Sequence, residues 1–161
     1  MKKLAFTSVI LFALMGYLLF ACKQKQVVPE KAIAQTLVLQ VDSFAATKGK
    51  LLAAIEANKD EKQLQQLFIE TRLSFKKIEW AVEYFSPAIS RFVNGPPVQE
   101  IEMTDGQVFE PAGLQVIETY LFPKYDVSKK TELLRQLKLL QKDCDKYNTY
   151  FANIGIFDWQ V

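Results

Sequence analysis

The chain is 161 residues long, carries 20 basic and 18 acidic residues for a net charge of +2, and contains two cysteines and no histidine. Without an imidazole it cannot supply a His-ligated haem, a Ser-His-Asp triad, a Cys-His pair or a His-rich zinc site. It also has no CxxCH haem-attachment motif and no glycine-rich phosphate loop, so redox or hydrolytic chemistry would need reactive groups from another polypeptide.

Lys2 and Lys3 precede an apolar run, Leu4 to Phe20, that contains no charged residue. This is the layout of a bacterial signal peptide, although the run approaches the roughly 17–25 residues that span a bilayer. Leu19-Phe20-Ala21-Cys22 decides between the two readings, because it has the form of a lipobox. A branched apolar residue stands three positions ahead of the cysteine, a small residue stands next to it, and the thiol takes a diacylglycerol. Residues 1–21 are accordingly read as a lipoprotein signal peptide and Cys22 as the lipidation site, which makes a membrane the first expected partner. Anchoring by more than one acyl chain is stable, at about 0.8 kcal/mol per buried methylene. Lys23 is not the Asp that marks inner-membrane retention in some bacteria, so the expected location is the outer membrane, facing the periplasm. Removal of Lys2 and Lys3 leaves 18 basic residues against 18 acidic ones, and this balance gives no reason to expect nucleic acid as a partner. With Cys22 acylated, Cys144 has no partner for an internal disulfide.

Residues 22–28 read as a tether, followed by a helical domain over 29–155. Ile33, Leu37, Val41, Phe44, Leu51 and Ile55 recur at helical spacing and predict a first helix from Pro29 to Ala57, with Pro29 in its first turn. Asn58-Lys59-Asp60 is a turn, and Asp60 with Gln63 resembles a capping box. Leu64, Leu67, Phe68, Phe75, Ile78, Val82 and Phe85 then predict one uninterrupted helix of about 40 Å, ending at Ser86-Pro87. Two long helices joined by a tight turn form an antiparallel hairpin. Asn94-Gly95-Pro96-Pro97 and Asp105-Gly106 are turn chemistry, and Val98, Ile101, Met103 and Val108 between them suggest a cross-over segment laid across the domain.

Pro111 restarts a helix that stops at Pro123. Ser128 or Asp126 caps the last one, whose stripe is Leu133, Leu137, Leu140, Cys144, Tyr147 and Phe151, and Asn153-Ile154-Gly155 ends it. Cys144 therefore faces the core as a small apolar residue, with nothing cationic predicted beside it. Residues 156–161 read as the start of a further helix or a linker to another domain, because Ile156, Phe157, Trp159 and Val161 would otherwise expose an apolar patch. The expected fold is all-α, an antiparallel helical bundle of about four helices with one long cross-over loop.

The stretch LFIETRLSFKKIEWAVEYF from Leu67 to Phe85, the segment from Asn94 to Glu102 and the run EPAGLQVIETYLFP resemble the N-terminal helical domain that precedes the haem domains of Bacteroidetes-type cytochrome c peroxidases. The same stretches also look like a distant relative of the imelysin-like domain, a family in which a GxHxxE motif opens a helix. Gly113 and Glu118 match the motif here, and Gln115 stands where the histidine would be. The resemblance implies a binding and positioning module with no catalytic residue and no cofactor of its own. Its parent protein would carry haem c, and its partners would be haem peroxidase domains in cis or in trans. The alternative is a stand-alone imelysin-like lipoprotein that binds iron or a haem-related ligand.

Four polar residues are singled out as a candidate site. Gln115 and Glu118 are three apart on one helix face, and Arg72 and Glu79 share a face of another. They make either a structural ion pair, Arg72 with Glu118 or with Glu79, or a small polar site whose oxygens suit hard cations better than iron. Trp80, Tyr84, Phe85 and Phe92 form an aromatic series at near-helical spacing, expected to be core.

Overall fold

The computed structural model describes residues 29–101, 104 and 106–155. The signal peptide, Cys22, the tether, Met103 and Ile156 to Val161 lie outside the described residues. Within them the chain is mostly helical. Six α-helices are present, α1 (Pro29–Glu56), α2 (Glu61–Lys76), α3 (Glu79–Phe85), α4 (Pro87–Asn94), α5 (Leu114–Leu121) and α6 (Lys130–Asn153). A 3₁₀ turn spans Val127–Lys129, and strands β1 (Glu100–Ile101) and β2 (Val108–Phe109) pair antiparallel, Glu100 opposite Phe109. No described helix is long and apolar enough to cross a membrane.

Helix α1 buries Leu37, Val41, Phe44, Leu51 and Ile55, as its periodicity requires. It ends in a left-handed cap: Asn58 adopts φ 53°, its amide donates to Ile55 O and the Lys59 amide to Ala54 O. Asparagine tolerates this conformation because its short polar side chain bonds locally. Asp60 Oδ1 then accepts from the Gln63 amide at 3.0 Å and opens α2, the expected cap. Phe44 of α1 meets Phe75 of α2 at 5.4 Å between ring centres across the tight turn, and Asn58, Lys48 and Asp42 meet Lys130, Gln141 and Asn148 in turn, so both α2 and α6 run opposite to α1. Each large side chain removed from water here contributes about 1.5–3 kcal/mol.

The second helix is not continuous. It breaks at Lys77 and Ile78, whose amides bond three residues back, to Ser74 O and Phe75 O. One turn upstream Thr71 Oγ1 donates to Leu67 O and Ser74 Oγ to Thr71 O, both at 2.8 Å. Hydroxyls that bond back onto their own helix bend it. The tightened turn keeps Phe75, Ile78 and Val82 all buried, so the apolar pattern runs through the break without registering it.

The stripe ends at Ser86-Pro87 as expected, since α3 stops at Phe85, and Pro87 then opens a further helix, α4, at the position where a missing N–H costs nothing. The cross-over segment is not laid across the core. It folds into the β1–β2 ribbon, and Val98, Ile101 and Val108 are exposed. Helix α5 starts at Leu114 rather than Pro111, and Asp126 caps the 3₁₀ turn ahead of α6 by accepting from the Ser128 amide. The aromatic series is not a core stripe: Trp80, Tyr84 and Phe92 are exposed, and only Phe85 packs inward, against Phe151.

Candidate functional site

The four polar residues foreseen from the sequence converge, and the residue that joins them is Asn94, the last of α4. Arg72 on α2 donates through Nη1 to Asn94 Oδ1. Asn94 Nδ2 donates to Glu79 Oε1 at 3.0 Å, and Gln115 Nε2 donates to the Asn94 carbonyl at 2.8 Å. Arg72 Nη2 lies 3.7 Å from Glu118 Oε2, and Lys76 Nζ lies 2.6 Å from Glu79 Oε2. One residue, through its side-chain amide and its main-chain carbonyl, therefore ties α2, α3, α4 and α5 together at a single corner.

This corner is on the flank of the domain rather than at its centre. The Glu118 side chain is 47 % exposed and that of Arg72 26 %, so their ion pair is solvent-screened and contributes at most about 1 kcal/mol. The hydrogen bonds matter more, because Gln115 closes an orphan carbonyl at the end of α4. Arg72 and Glu118 form the expected pair, whereas Glu79 takes Lys76 and Asn94. Chemically the group is a closed clamp: cation, amide and carboxylates are spent on one another. Among the described residues no three His, Cys, Asp or Glu side chains are placed to hold a metal ion together.

The glycine of the six-residue motif has a role in the same corner. Gly113 adopts φ +91°, a conformation that side-chain-bearing residues rarely adopt, and a Cβ there would lie 2.2 Å from the Val93 carbonyl oxygen. Its amide donates to Gln136 Oε1 at 2.9 Å, and Gln136, buried on α6, also reaches Glu132 Oε1. Gly113 lets the start of α5 lie against the end of α4; Gln115 and Glu118 then complete the clamp.

No family model, curated protein or solved structure matches this chain. The case for function rests on its own residues.

Besides Asn94, Lys48 and Gln136 are buried polar positions that escaped the sequence reading. Lys48 is 3 % exposed, and its ammonium donates to Gln141 Oε1, whose own amide donates to Asp145 Oδ1 at 3.0 Å. It fills the seven-residue gap between Phe44 and Leu51, in phase with both, and that gap was the available signal. Burial lowers its pKa, opposed by the charges of Cys144 and Asp145. Cys144 faces the core as expected, yet a cation does stand near it. Burial outweighs that cation and pushes the thiol up to about 12, which leaves it a neutral packing group. Gln136 was hidden the same way, as a polar residue between Leu133 and Leu137.

Proposed function

We propose that this chain is a lipid-anchored helical module that holds a partner near a membrane surface, and that the partner is a set of cytochrome c peroxidase-like haem domains. The chain would be the N-terminal part of such a protein, with haem c carried elsewhere. The anchor reading rests on Leu19-Phe20-Ala21-Cys22, seven residues ahead of the first described helix at Pro29. Confinement of this kind raises the effective concentration of a partner without any new contact.

The observation that carries the positioning role is a second apolar stripe on the outside of α2 and α3. Ile69, Leu73, Trp80 and Tyr84 are 43, 60, 54 and 59 % exposed. They follow one helical line opposite Phe68, Phe75 and Val82, which are buried. Large contiguous apolar surface on a folded protein marks an interaction site, and aromatic residues are enriched in such interfaces. The Asn94 clamp, at the C-terminal end of α4, ties α4 to Arg72 of α2 and Glu79 of α3 beside this face. The reading of the domain as an antiparallel bundle of about four helices is supported by the opposed courses of α1, α2 and α6, with α5 packed between α2 and α6.

Replacement of Cys22 by Ser tests the anchor: the protein is expected to leave the membrane fraction while keeping its helical content, and retention in the pellet would overturn lipidation. The reading frame downstream of Val161, or its neighbour, is expected to encode two CxxCH motifs. A frame that stops there beside iron-transport genes would overturn the peroxidase assignment.

A further inference from the structure

The hydrogen bond from Asn148 Nδ2 of α6 to Asp42 Oδ1 of α1, at 2.7 Å, marks a change of character along this helix pair. On one side of it α6 is densely charged, from Lys130 to Lys146. On the other, α1 from Ala32 to Val41 and α6 from Tyr147 to Asn153 hold no charged residue, and Glu30 and Lys31, which cancel, are all that the first turn of α1 adds. A surface helix ordinarily carries charge on its outer face. Here the exposed positions are Gln35, Thr36 and Leu39. Ala34, Val38 and Leu39 of α1 and Phe151 and Ala152 of α6 line an apolar trough of about 470 Å³ at the same end.

An uncharged surface can enter a low-dielectric phase without stripping water from an ion, the step that costs most. The position of this end in the chain says which phase it meets. Cys22, the lipidation site of the anchored reading, precedes Pro29 by seven residues, and seven residues reach at most about 25 Å. The end of the domain kept closest to the bilayer is therefore the end from which charge is absent. We propose that this α1–α6 end rests against the lipid surface, with Leu39 and the trough in the headgroup region. The contact is superficial, since no described helix is long and apolar enough to cross a membrane. It rests on the lipid-anchor reading above and adds an orientation to it: a tether confines the domain, whereas a second contact sets which side faces away from the membrane and so where the partner is held.

The test uses the full lipidated chain in vesicles of phosphatidylethanolamine and phosphatidylglycerol, with a nitroxide on Leu39→Cys or, in a second variant, on Val127→Cys. The two positions are matched in exposure, 69 and 67 %, and Val127 lies at the opposite end of the domain, just ahead of α6. Cys144 is buried and shielded from the label. The ratio of oxygen to nickel-chelate collisions is high for a spin label in lipid and low in water, and is expected to be several-fold higher at Leu39 than at Val127. Equal ratios overturn the proposal. So does a Leu39 label shielded from both reagents, which would mean that a second copy or another part of the protein covers the trough. Flotation with the vesicles reports the anchor separately: a chain that floats with a solvated Leu39 label loses the lipid contact alone, and one that fails to float loses the anchored reading with it.

Discussion

The backbone of Gly113 passes so close to Val93 that a single added methyl group would stand 2.2 Å from the Val93 carbonyl oxygen. The approach sets the position of α5 against α4, and with it the reach of Gln115 and Glu118 to the Asn94 corner. Gly113→Ala combines a positive φ with that overlap, so the expected loss is about 3 kcal/mol, from backbone strain and overpacking together. Urea unfolding checks it. A loss below about 1 kcal/mol would mean that the contact relaxes freely.

Asn94 is the hub of the clamp, and its side chain is the group to remove. Asn94→Ala deletes the bonds to Arg72 and Glu79 and is expected to destabilise by about 1–2 kcal/mol. Glu118→Gln touches only a screened pair and is expected to change stability by less than about 0.5 kcal/mol. Equal effects from the two variants would argue that the ion pair, not the amide hub, holds the corner.

Alkaline pH separates two neighbours on facing helices. The pKa of Cys144 is raised on folding, so its stabilising effect is complete below the usual thiol range and is lost as pH rises from about 9 towards about 12. Lys48 is depressed by burial, so folding disfavours its proton and stability from this group increases as pH climbs towards 10.5, the ordinary lysine value. The two slopes oppose each other. Lys48→Met is expected to steepen the alkaline loss and to be neutral or stabilising at pH 7, since an apolar replacement removes a buried charge. Cys144→Ala is expected to flatten the loss while lowering stability at pH 7 through lost packing. Urea midpoints measured from pH 8 to 11 report both, and parallel profiles for the two variants would contradict the assignment.

The outer stripe makes a binding prediction that stability does not share. Leu73→Glu and Trp80→Glu, at positions more than half exposed, are expected to change unfolding free energy by less than about 0.5 kcal/mol. Capture of the proposed partner, cytochrome c peroxidase-like haem domains, by the purified chain is expected to fall at least tenfold. Unchanged capture with both variants would remove the stripe from the function.

Periodicity alone located most of the helical material. Leu37, Val41, Phe44, Leu51 and Ile55 had to share one face, and so did Leu133, Leu137, Leu140, Cys144 and Phe151, because an apolar side chain repeating every three or four residues can leave water only along one line. The caps at Asp60 and the turn at Asn58 were legible for the same local reason, as were the four members of the polar corner, which helical spacing paired two by two. Other features depended on partners far along the chain. The break at Lys77 leaves the apolar phase intact, with Phe75, Ile78 and Val82 all buried, so the pattern carried no sign of it. The burial of Lys48 is tolerated because α6 brings Gln141 and Asp145 to it from some 93 residues away. Asn94 looked like a turn residue until α2, α3 and α5 closed around it, and Gly113 looked like a helix opener until Val93 stood beside it. A sequence fixes which side chains must avoid water, whereas the pairing of polar groups across helices, and whether an aromatic such as Trp80 is covered, is decided only when the tertiary fold sets which surfaces meet.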